Sequence, residues 1–149
     1  LGPPGGSGRP TRADLRAMGE DDVVAVYRRH FWEEVSADDL PGPVAFVVAD
    51  AAVNQGPARA VRFLQRAVGA APDGVVGPRT LAATQRAYAE DPRGLIKDIA
   101  ARRAVHYSGL AHFATFGFGW SRRLIDCAIT AAGLIGLAGG RDARDAARA

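Results

Sequence analysis

The sequence is poor in the residue types that define several protein classes. It contains one cysteine, Cys127, one methionine and one lysine among 149 residues. A single cysteine excludes an intramolecular disulfide, and its apolar neighbours predict a buried structural thiol. The three histidines, His30, His106 and His112, have no metal-ligand spacing to one another or to the cysteine. We therefore expect no metal site and no cofactor.

Long hydrophobic runs are also missing. The longest apolar stretch, 124–138, contains Asp126 and several small residues, whereas a transmembrane helix needs about 20 apolar residues. We predict a buried C-terminal helix here and no stable membrane insertion. No signal peptide is visible, and the sequence begins at Leu1 rather than at a methionine. We expect a processed or truncated product, and the sequence does not indicate its export route.

Acidic residues are slightly outnumbered by basic ones, 16 to 19, which gives a net charge of +3 and a pI near 9.6. Such a surface attracts polyanions, although a solvated arginine-rich surface explains a modest excess equally well. No arginine-rich run is interleaved with aromatic residues, so we predict no nucleic-acid binding. A hydrophobic content of 48% is typical of a globular domain with an ordinary core.

Helical periodicity, interrupted by glycine and proline, runs through most of the chain, and no convincing segment alternates with period two. The predicted fold is all-α: a single-domain helical bundle with short connections. The predicted helices are a short one that opens at residues 11–14 and ends at Gly19, followed by helices at 21–32, 44–54, 57–68, 78–89, 92–113 and 120–137. In the helix at 21–32 a stripe at helical spacing joins Val23, Val24, Tyr27, His30 and Phe31. The polar tail, 141–149, is either a frayed helix or disordered.

Asp50 stands out because it lies in a largely apolar helix, with Asn54 one turn later on the same face. A carboxylate there must be paired, hydrogen-bonded or exposed to a cleft. Two interpretations stay open: a structural pair that fixes the Gly56-Pro57 corner, and the lining of a binding cleft. Gln65 either braces the same corner or lies on a helix surface.

A second polar segment combines a turn with the start of a helix. Its glycines permit positive φ, its proline suits a first helical turn, and its threonine can accept hydrogen bonds from free N–H groups. The pattern is explained without a ligand, and a binding role is the alternative. The segment consists of Asp73, Gly74, Gly77, Pro78 and Thr80.

Four segments, in this order, resemble the glycoside hydrolase family 108 N-acetylmuramidases. Residues 25–32, Ala-Val-Tyr-Arg-Arg-His-Phe-Trp, are similar to that family's Tyr-Arg-x-x-Tyr/Phe-Trp helix. Residues 46–57 are similar to its Asp-x-Ala-Val-Asn-x-Gly segment. Leu64-Gln65 with residues 73–81 resembles its C-terminal peptidoglycan-binding portion, and residues 116–123 resemble its closing Phe-Gly-x-Gly-Trp-x-x-Arg. The resemblance covers about residues 11–125.

This resemblance implies a lysozyme-like fold and hydrolysis of the β-1,4 bond between N-acetylmuramic acid and N-acetylglucosamine. The implied partner is the peptidoglycan glycan strand, in the periplasm or at the cell wall, and the implied chemistry uses no cofactor. The resemblance divides the chain into a flexible leader, 1–10, a muramidase-like region, 11–56, a peptidoglycan-binding-like region, 57–125, and a C-terminal helix and tail, 126–149.

The implied substrate-binding residues lie in the first two segments and are Tyr27, Trp32, Asp50, Asn54 and Gln55. The second polar segment, Asp73 to Thr80, becomes the implied peptidoglycan-binding motif. Tyr27 and Trp32, with Tyr107 and Trp120, either stack on sugar rings or belong to the core.

The chain departs from the family pattern at the catalytic acid. The family's general acid is a Glu in an N-terminal Glu-Gly-Gly segment, but here Gly5-Gly6 follows Pro4, and no acidic residue precedes Asp14. We identify no catalytic residue and expect the Glu upstream of Leu1.

The remaining carboxylates have structural explanations. We interpret Glu33 and Glu34 as solvated surface, and we expect Asp38 and Asp39 to cap the helix at 44–54 or its approach. The acidic run at 20–22 suits a helix start.

Two other functions are compatible with the sequence. One is a non-catalytic peptidoglycan-binding module. The other is a structural or phage-particle component that uses the apolar C-terminal helix for protein contacts. The sequence does not predict an oligomeric state, and a phage-borne or holin-dependent export route stays open.

Overall fold

A computed structural model describes the backbone of residues 16–146 and the side chains of residues 16–137. Within this range the chain forms six α-helices and no strand, so the prediction of an all-α, lysozyme-like single domain is confirmed. The predicted leader, 1–10, and the predicted opening of the short helix, 11–14, lie outside the described residues. The helices are α1 Glu20–Tyr27, α2 Gly42–Gln55, α3 Pro57–Ala67, α4 Pro78–Glu90, α5 Pro92–Ser108 and α6 Phe113–Ala146. A π-helix, Arg28–Trp32, and a 3₁₀ turn, Ala37–Asp39, connect α1 to α2.

The α2 helix forms the centre of the bundle and contacts α3, α5 and α6. It is apolar on nearly every side, which is the pattern expected of a helix surrounded by other helices. Its small side chains allow neighbouring helices to approach closely. The buried residues of α2 are Pro43, Val44, Ala45, Val47, Val48, Ala49, Ala51 and Ala52.

A sharp corner joins α2 to α3, as the sequence predicts. Gly56 ends α2 with φ of 89°, a conformation that side chains disfavour. Pro57 then occupies the first position of α3, where its missing N–H costs nothing. The Gly56 carbonyl accepts from the Ala60 N–H at 3.0 Å. This corner fixes the direction in which the end of α2 faces solvent.

The predicted helix at 21–32 is not a continuous α-helix, and only the C-terminal part of its apolar stripe packs against the core. No residue of α1 is buried, and Val24 is 60% exposed. After Tyr27 the helix widens into the π-helix, in which the Glu33 N–H donates to the Arg28 carbonyl at 2.9 Å. The widening shifts the register, so that Phe31 and Trp32 pack against the core while the stripe of α1 does not.

The boundary between α5 and α6 differs from the prediction. The helix expected to continue through 113 ends at Ser108, and α6 begins at Phe113. Gly117 and Gly119, which we expected to interrupt the helix, lie within α6. At Gly117 a Cβ would come within 2.8 Å of the Phe113 ring. This glycine therefore serves close packing rather than a break.

The α6 helix is the longest element of the fold. It has 34 residues and continues through Ala146, so the first part of the polar tail has a helical backbone. Of the helices in residues 16–146, none combines the length and the apolar character needed to cross a membrane.

The two glycines of α6 provide a matched test of packing. We expect Gly117→Ala to destabilise the fold by roughly 1–3 kcal/mol, because the added methyl meets the Phe113 ring. Gly119→Ala should stabilise it by about 0.5–1 kcal/mol, because nothing lies within 4 Å of its added methyl. Urea unfolding of both variants measures the difference. Equal effects at the two positions would contradict the packing explanation.

Candidate functional site

A buried ion pair holds Asp50 at the centre of the bundle. Arg103 of α5 has no solvent exposure, and its Nη2 donates to Asp50 Oδ2 at 2.7 Å. Arg123 of α6 donates from Nη2 to Asp50 Oδ1 at 3.2 Å and is 53% exposed. Both carboxylate oxygens are therefore engaged by arginines. These contacts favour the structural interpretation of Asp50, with three helices tied through one carboxylate.

The Arg103 guanidinium stays charged although it is buried. Burial alone would lower the pKa of Arg103, but the hydrogen bond and negative charge of Asp50 raise it above the usual range. The neighbouring thiol of Cys127 has its pKa raised to about 11, first by burial and then by Asp50. Cys127 is buried, as predicted, and a thiol with so high a pKa is almost entirely protonated at neutral pH.

Asn54 and Gln55 end α2 in different environments. Asn54 is exposed, and its Nδ2 donates to the Asp50 backbone carbonyl at 2.7 Å rather than to the carboxylate. Its Oδ1 atom accepts no hydrogen bond from the described residues. Gln55 accepts from Arg103 Nε at 2.9 Å, while its buried Nε2 has no partner within residues 16–137. The amide oxygen of Asn54 thus faces solvent beside the corner at Gly56.

The second polar segment is organised by Gln65, which is 1% exposed. Its Nε2 donates to Asp73 Oδ1 at 2.7 Å and lies 3.2 Å from Thr80 Oγ1. Its Oε1 accepts from the Gly74 N–H at 2.9 Å. The Asp73 carboxylate also accepts from the Val75 N–H at 2.9 Å. One buried amide therefore folds the whole turn onto α3.

These contacts correct three details of the prediction. Gln65 braces the turn at Asp73 and not the corner at Gly56. Thr80 is buried and faces Gln65, whereas the N-terminal cap of α4 is Gly77. Of the two glycines in this segment, only Gly74 has a positive φ, 85°, that favours glycine, because Gly77 has φ of −115°.

The turn lies close to the beginning of α3. A Cβ on Gly74 would come within 3.1 Å of the Ala58 carbonyl and 3.3 Å of the Arg62 guanidinium. Ala58 is the second residue of α3, directly after the corner that follows Asn54. The second polar segment therefore lies alongside α3, between Ala58 and Gln65, while the corner after Asn54 lies at the N-terminal end of that helix.

The four candidate aromatic residues differ in how far they are exposed to solvent. Tyr27 is 48% exposed and lies 5.1 Å from the Phe31 ring, so it does not belong to the core. Trp32 packs against the core and donates from Nε1 to Asp38 Oδ1 at 2.8 Å. Tyr107 is buried and stacks on Trp120 at 5.4 Å.

The partners of Asp38 correct a further detail. Besides Trp32, Asp38 binds Arg28 at 2.8 Å. No side chain caps α2, whose N-terminal cap residue is Pro41. Asp38 therefore holds the π-helix against the turn at 37–39 instead of capping the following helix.

Sequence reasoning missed the arginines and His106. Arg59 of α3 contacts His106 Nε2 at 3.3 Å, and burial followed by the charge of Arg59 lowers the histidine's pKa. A signal for Arg103 was present in the sequence. On α5 the buried positions Ile96, Ile99 and Tyr107 continue through residue 103, where a charged residue replaces an apolar one. A charge on a buried stripe indicates a partner on another helix.

The chain is similar to known proteins in sequence and in fold. A family model described as "Glycosyl hydrolase 108" matches residues 5–56, and one described as "Predicted Peptidoglycan domain" matches residues 59–125. The structure is similar to that of SagA from Brucella abortus, with 35% identity and a TM-score of 0.77. That match covers 83% of this chain and 70% of SagA. No curated protein matches the chain.

The fold and these matches define an all-α, lysozyme-like protein whose function is related to peptidoglycan. The chain belongs to glycosyl hydrolase family 108 and carries that family's peptidoglycan domain. Peptidoglycan is its partner, and its action is at the cell wall.

The buried and exposed arginines should differ in their effect on stability. We expect Arg103→Met to cost about 3–5 kcal/mol, because Asp50 loses its buried partner. Arg123→Met should cost less than about 1 kcal/mol, since its side chain is half exposed. Urea unfolding checks both values. The double variant Asp50→Leu/Arg103→Met should recover part of the loss, and similar small costs for the two single variants would refute the proposed difference.

The turn at Asp73 should weaken in acid. The Val75 N–H and the Gln65 amide lower the pKa of Asp73 below 3.8. The ionised carboxylate therefore stabilises the fold above about pH 4, and this contribution disappears as the pH falls through the lowered pKa. We expect Asp73→Asn to be less stable than the parent at pH 7, with the difference shrinking towards about pH 2. Thermal unfolding across this range measures it, and a constant difference would argue against an ionised acceptor.

Proposed function

We propose that the chain belongs to a peptidoglycan hydrolase of the N-acetylmuramidase type, which cleaves the β-1,4 bond between N-acetylmuramic acid and N-acetylglucosamine. The observation that carries the proposal is the exposed amide of Asn54 at the corner between α2 and α3. In this proposal residues 16–137 bind the glycan strand and do not supply the general acid.

The described carboxylates do not suit proton donation to a glycosidic oxygen. A general acid of this kind needs a partly apolar environment that keeps its proton. Within residues 16–137 only Asp50 and Asp98 are partly shielded from solvent, and both are bound to arginines. We propose that the acid is the Glu of the family's N-terminal Glu-Gly-Gly segment, outside the described residues.

The N-terminal end of α3 has hydrogen-bonding and charged groups that can bind an amino-sugar polymer. Asn54 Oδ1 can accept from the N–H of an N-acetyl group. The first turn of α3 has no side-chain cap, so its free N–H groups can donate to a carbonyl or carboxylate oxygen. Arg59, exposed in the same turn, adds positive charge that favours the carboxylates of the peptides attached to the glycan. Gly74 lies close to the Ala58 carbonyl and the Arg62 guanidinium, so the turn runs alongside α3 next to this end.

The other candidate substrate residues have supporting roles in this proposal. Gln55 and Asp50 orient the end of α2 through Arg103. Tyr27, exposed on α1, provides an aromatic face for a sugar ring, while Trp32 holds the π-helix in place through Asp38. The motif Asp73, Gly74, Gly77, Pro78 and Thr80 acts as a rigid wall beside α3.

A non-catalytic binding module is the second candidate. It is favoured by the arginine pairing of the two shielded carboxylates, which leaves binding without chemistry as the simplest use of residues 16–137. For this chain alone the two candidates predict the same retention on peptidoglycan and the same background release of soluble fragments. They differ in whether joining a Glu-Gly-Gly segment to the N-terminal side of the chain produces fragment release.

Binding to purified insoluble peptidoglycan tests the proposal. We expect the chain to sediment with it, and Asn54→Ala to weaken retention about fivefold, because one hydrogen bond from an uncharged amide is worth about 1 kcal/mol. Gln85→Ala, an exposed amide on α4, is the matched control and should bind like the parent. Release of soluble muropeptides should stay at background for this chain alone.

Each of three outcomes would contradict a different part of the proposal. Robust fragment release would show that an acid is present in the chain and would overturn its assignment to an outside residue. Absence of retention would count against both peptidoglycan-binding candidates. Equal losses in Asn54→Ala and Gln85→Ala would remove Asn54 from the binding site.

A further inference from the structure

Three large apolar side chains lie exposed on one face of α6. Phe118 is 84% exposed, Ile125 57% and Ile129 66%. They are spaced seven and four residues apart, so they form a single stripe along the helix, about 16 Å long. The opposite face of α6 is anchored in the core by Leu124, Cys127 and Ala131. Large apolar side chains grouped in this way on an exposed helix face mark a contact with another molecule or with a membrane.

The neighbouring helix α5 extends this face. A groove of 320 Å³ runs between α5 and α6, with Ile96, Ile125 and Ile129 among its lining residues. Arg93 and Lys97 of α5 line the same groove and are exposed. Neither takes part in an ion pair within the described part of the chain. The groove is thus apolar inside and positively charged along its α5 side.

The charges on α6 keep this face positive. Arg122 and Asp126 are both exposed there and lie one turn apart. Together with the two cations of α5, the face carries three positive charges and one negative charge. Two copies of the chain would bring these like-charged faces together, which disfavours self-association. An anionic bilayer instead offers an apolar interior for the stripe and negative headgroups for the cations.

We propose that the α5–α6 face binds peripherally to the surface of an anionic lipid bilayer. The apolar stripe enters the boundary between headgroups and acyl chains, and the flanking cations contact headgroup phosphates. This is adsorption of a helix face and requires no membrane-spanning segment. The face is formed by parts of α5 and α6 other than the corner at Asn54, so the proposal does not depend on the proposed glycan binding.

Co-sedimentation with unilamellar vesicles tests the proposal. The full chain is mixed with vesicles of phosphatidylcholine and phosphatidylglycerol at about 0.1 M salt, where charges near the surface still attract. We expect binding to these vesicles and little binding to phosphatidylcholine alone. Ile125→Gln/Ile129→Gln and Arg93→Gln/Lys97→Gln should each reduce binding about tenfold or more. Val75→Gln, an equally exposed valine in the turn before α4, is the matched control and should bind like the parent.

Several results would overturn the proposal. One is the absence of binding to anionic vesicles by the parent chain. Another is undiminished binding of the Ile125→Gln/Ile129→Gln variant, which would assign the attraction to overall charge alone. A third is a concentration-dependent dimer, seen by light scattering, that this variant abolishes, because a second copy would then cover the face. Circular dichroism confirms that each variant is folded.

Discussion

The guanidinium group of Arg103 is the interaction on which the helical packing depends. A charged group without solvent contact is costly unless its hydrogen bonds are satisfied, and a lone buried charge would destabilise the fold by several kcal/mol. Here Asp50 and Gln55 of α2 accept from Arg103, and Cys127 of α6 lies 3.7 Å from it. Because these partners come from two other helices, only one register of α2, α5 and α6 satisfies the charge.

Gln65 imposes a similar constraint on the turn that follows α3, because it too is a buried polar group that needs hydrogen-bond partners. Its amide is buried and can be satisfied only when the turn at Asp73 folds against the helix. The ion pair orients the end of α2, which carries Asn54, and the buried amide holds the turn at Gly74 alongside α3, next to Ala58 and Arg62. Two buried polar side chains, Arg103 and Gln65, thus determine the positions of the exposed polar groups. The candidate glycan-binding surface is a consequence of these internal contacts.

The ends of helices could be predicted from the sequence where glycine or proline stops or starts a helix because of its own backbone geometry. Gly56 and Pro57 end one helix and begin the next because one has positive φ and the other lacks an N–H. The same reasoning failed at Gly117, where the absence of a side chain makes room for Phe113. In α1, within the described residues, no residue is buried, although its stripe has helical spacing. Local spacing identifies a helix face but does not reveal whether another element covers it.

Sequence alone determined the all-α class, the family and the polar corner at Asn54, because these follow from short-range spacing and ordered motifs. Tertiary structure alone decided the role of Asp50, whose partners lie 53 and 73 residues away in the chain. It also decided that Gln65 is buried and that Ile125 and Ile129 are not. The physical reason is that burial and pairing are properties of helices packed together, and a single helix does not contain that information.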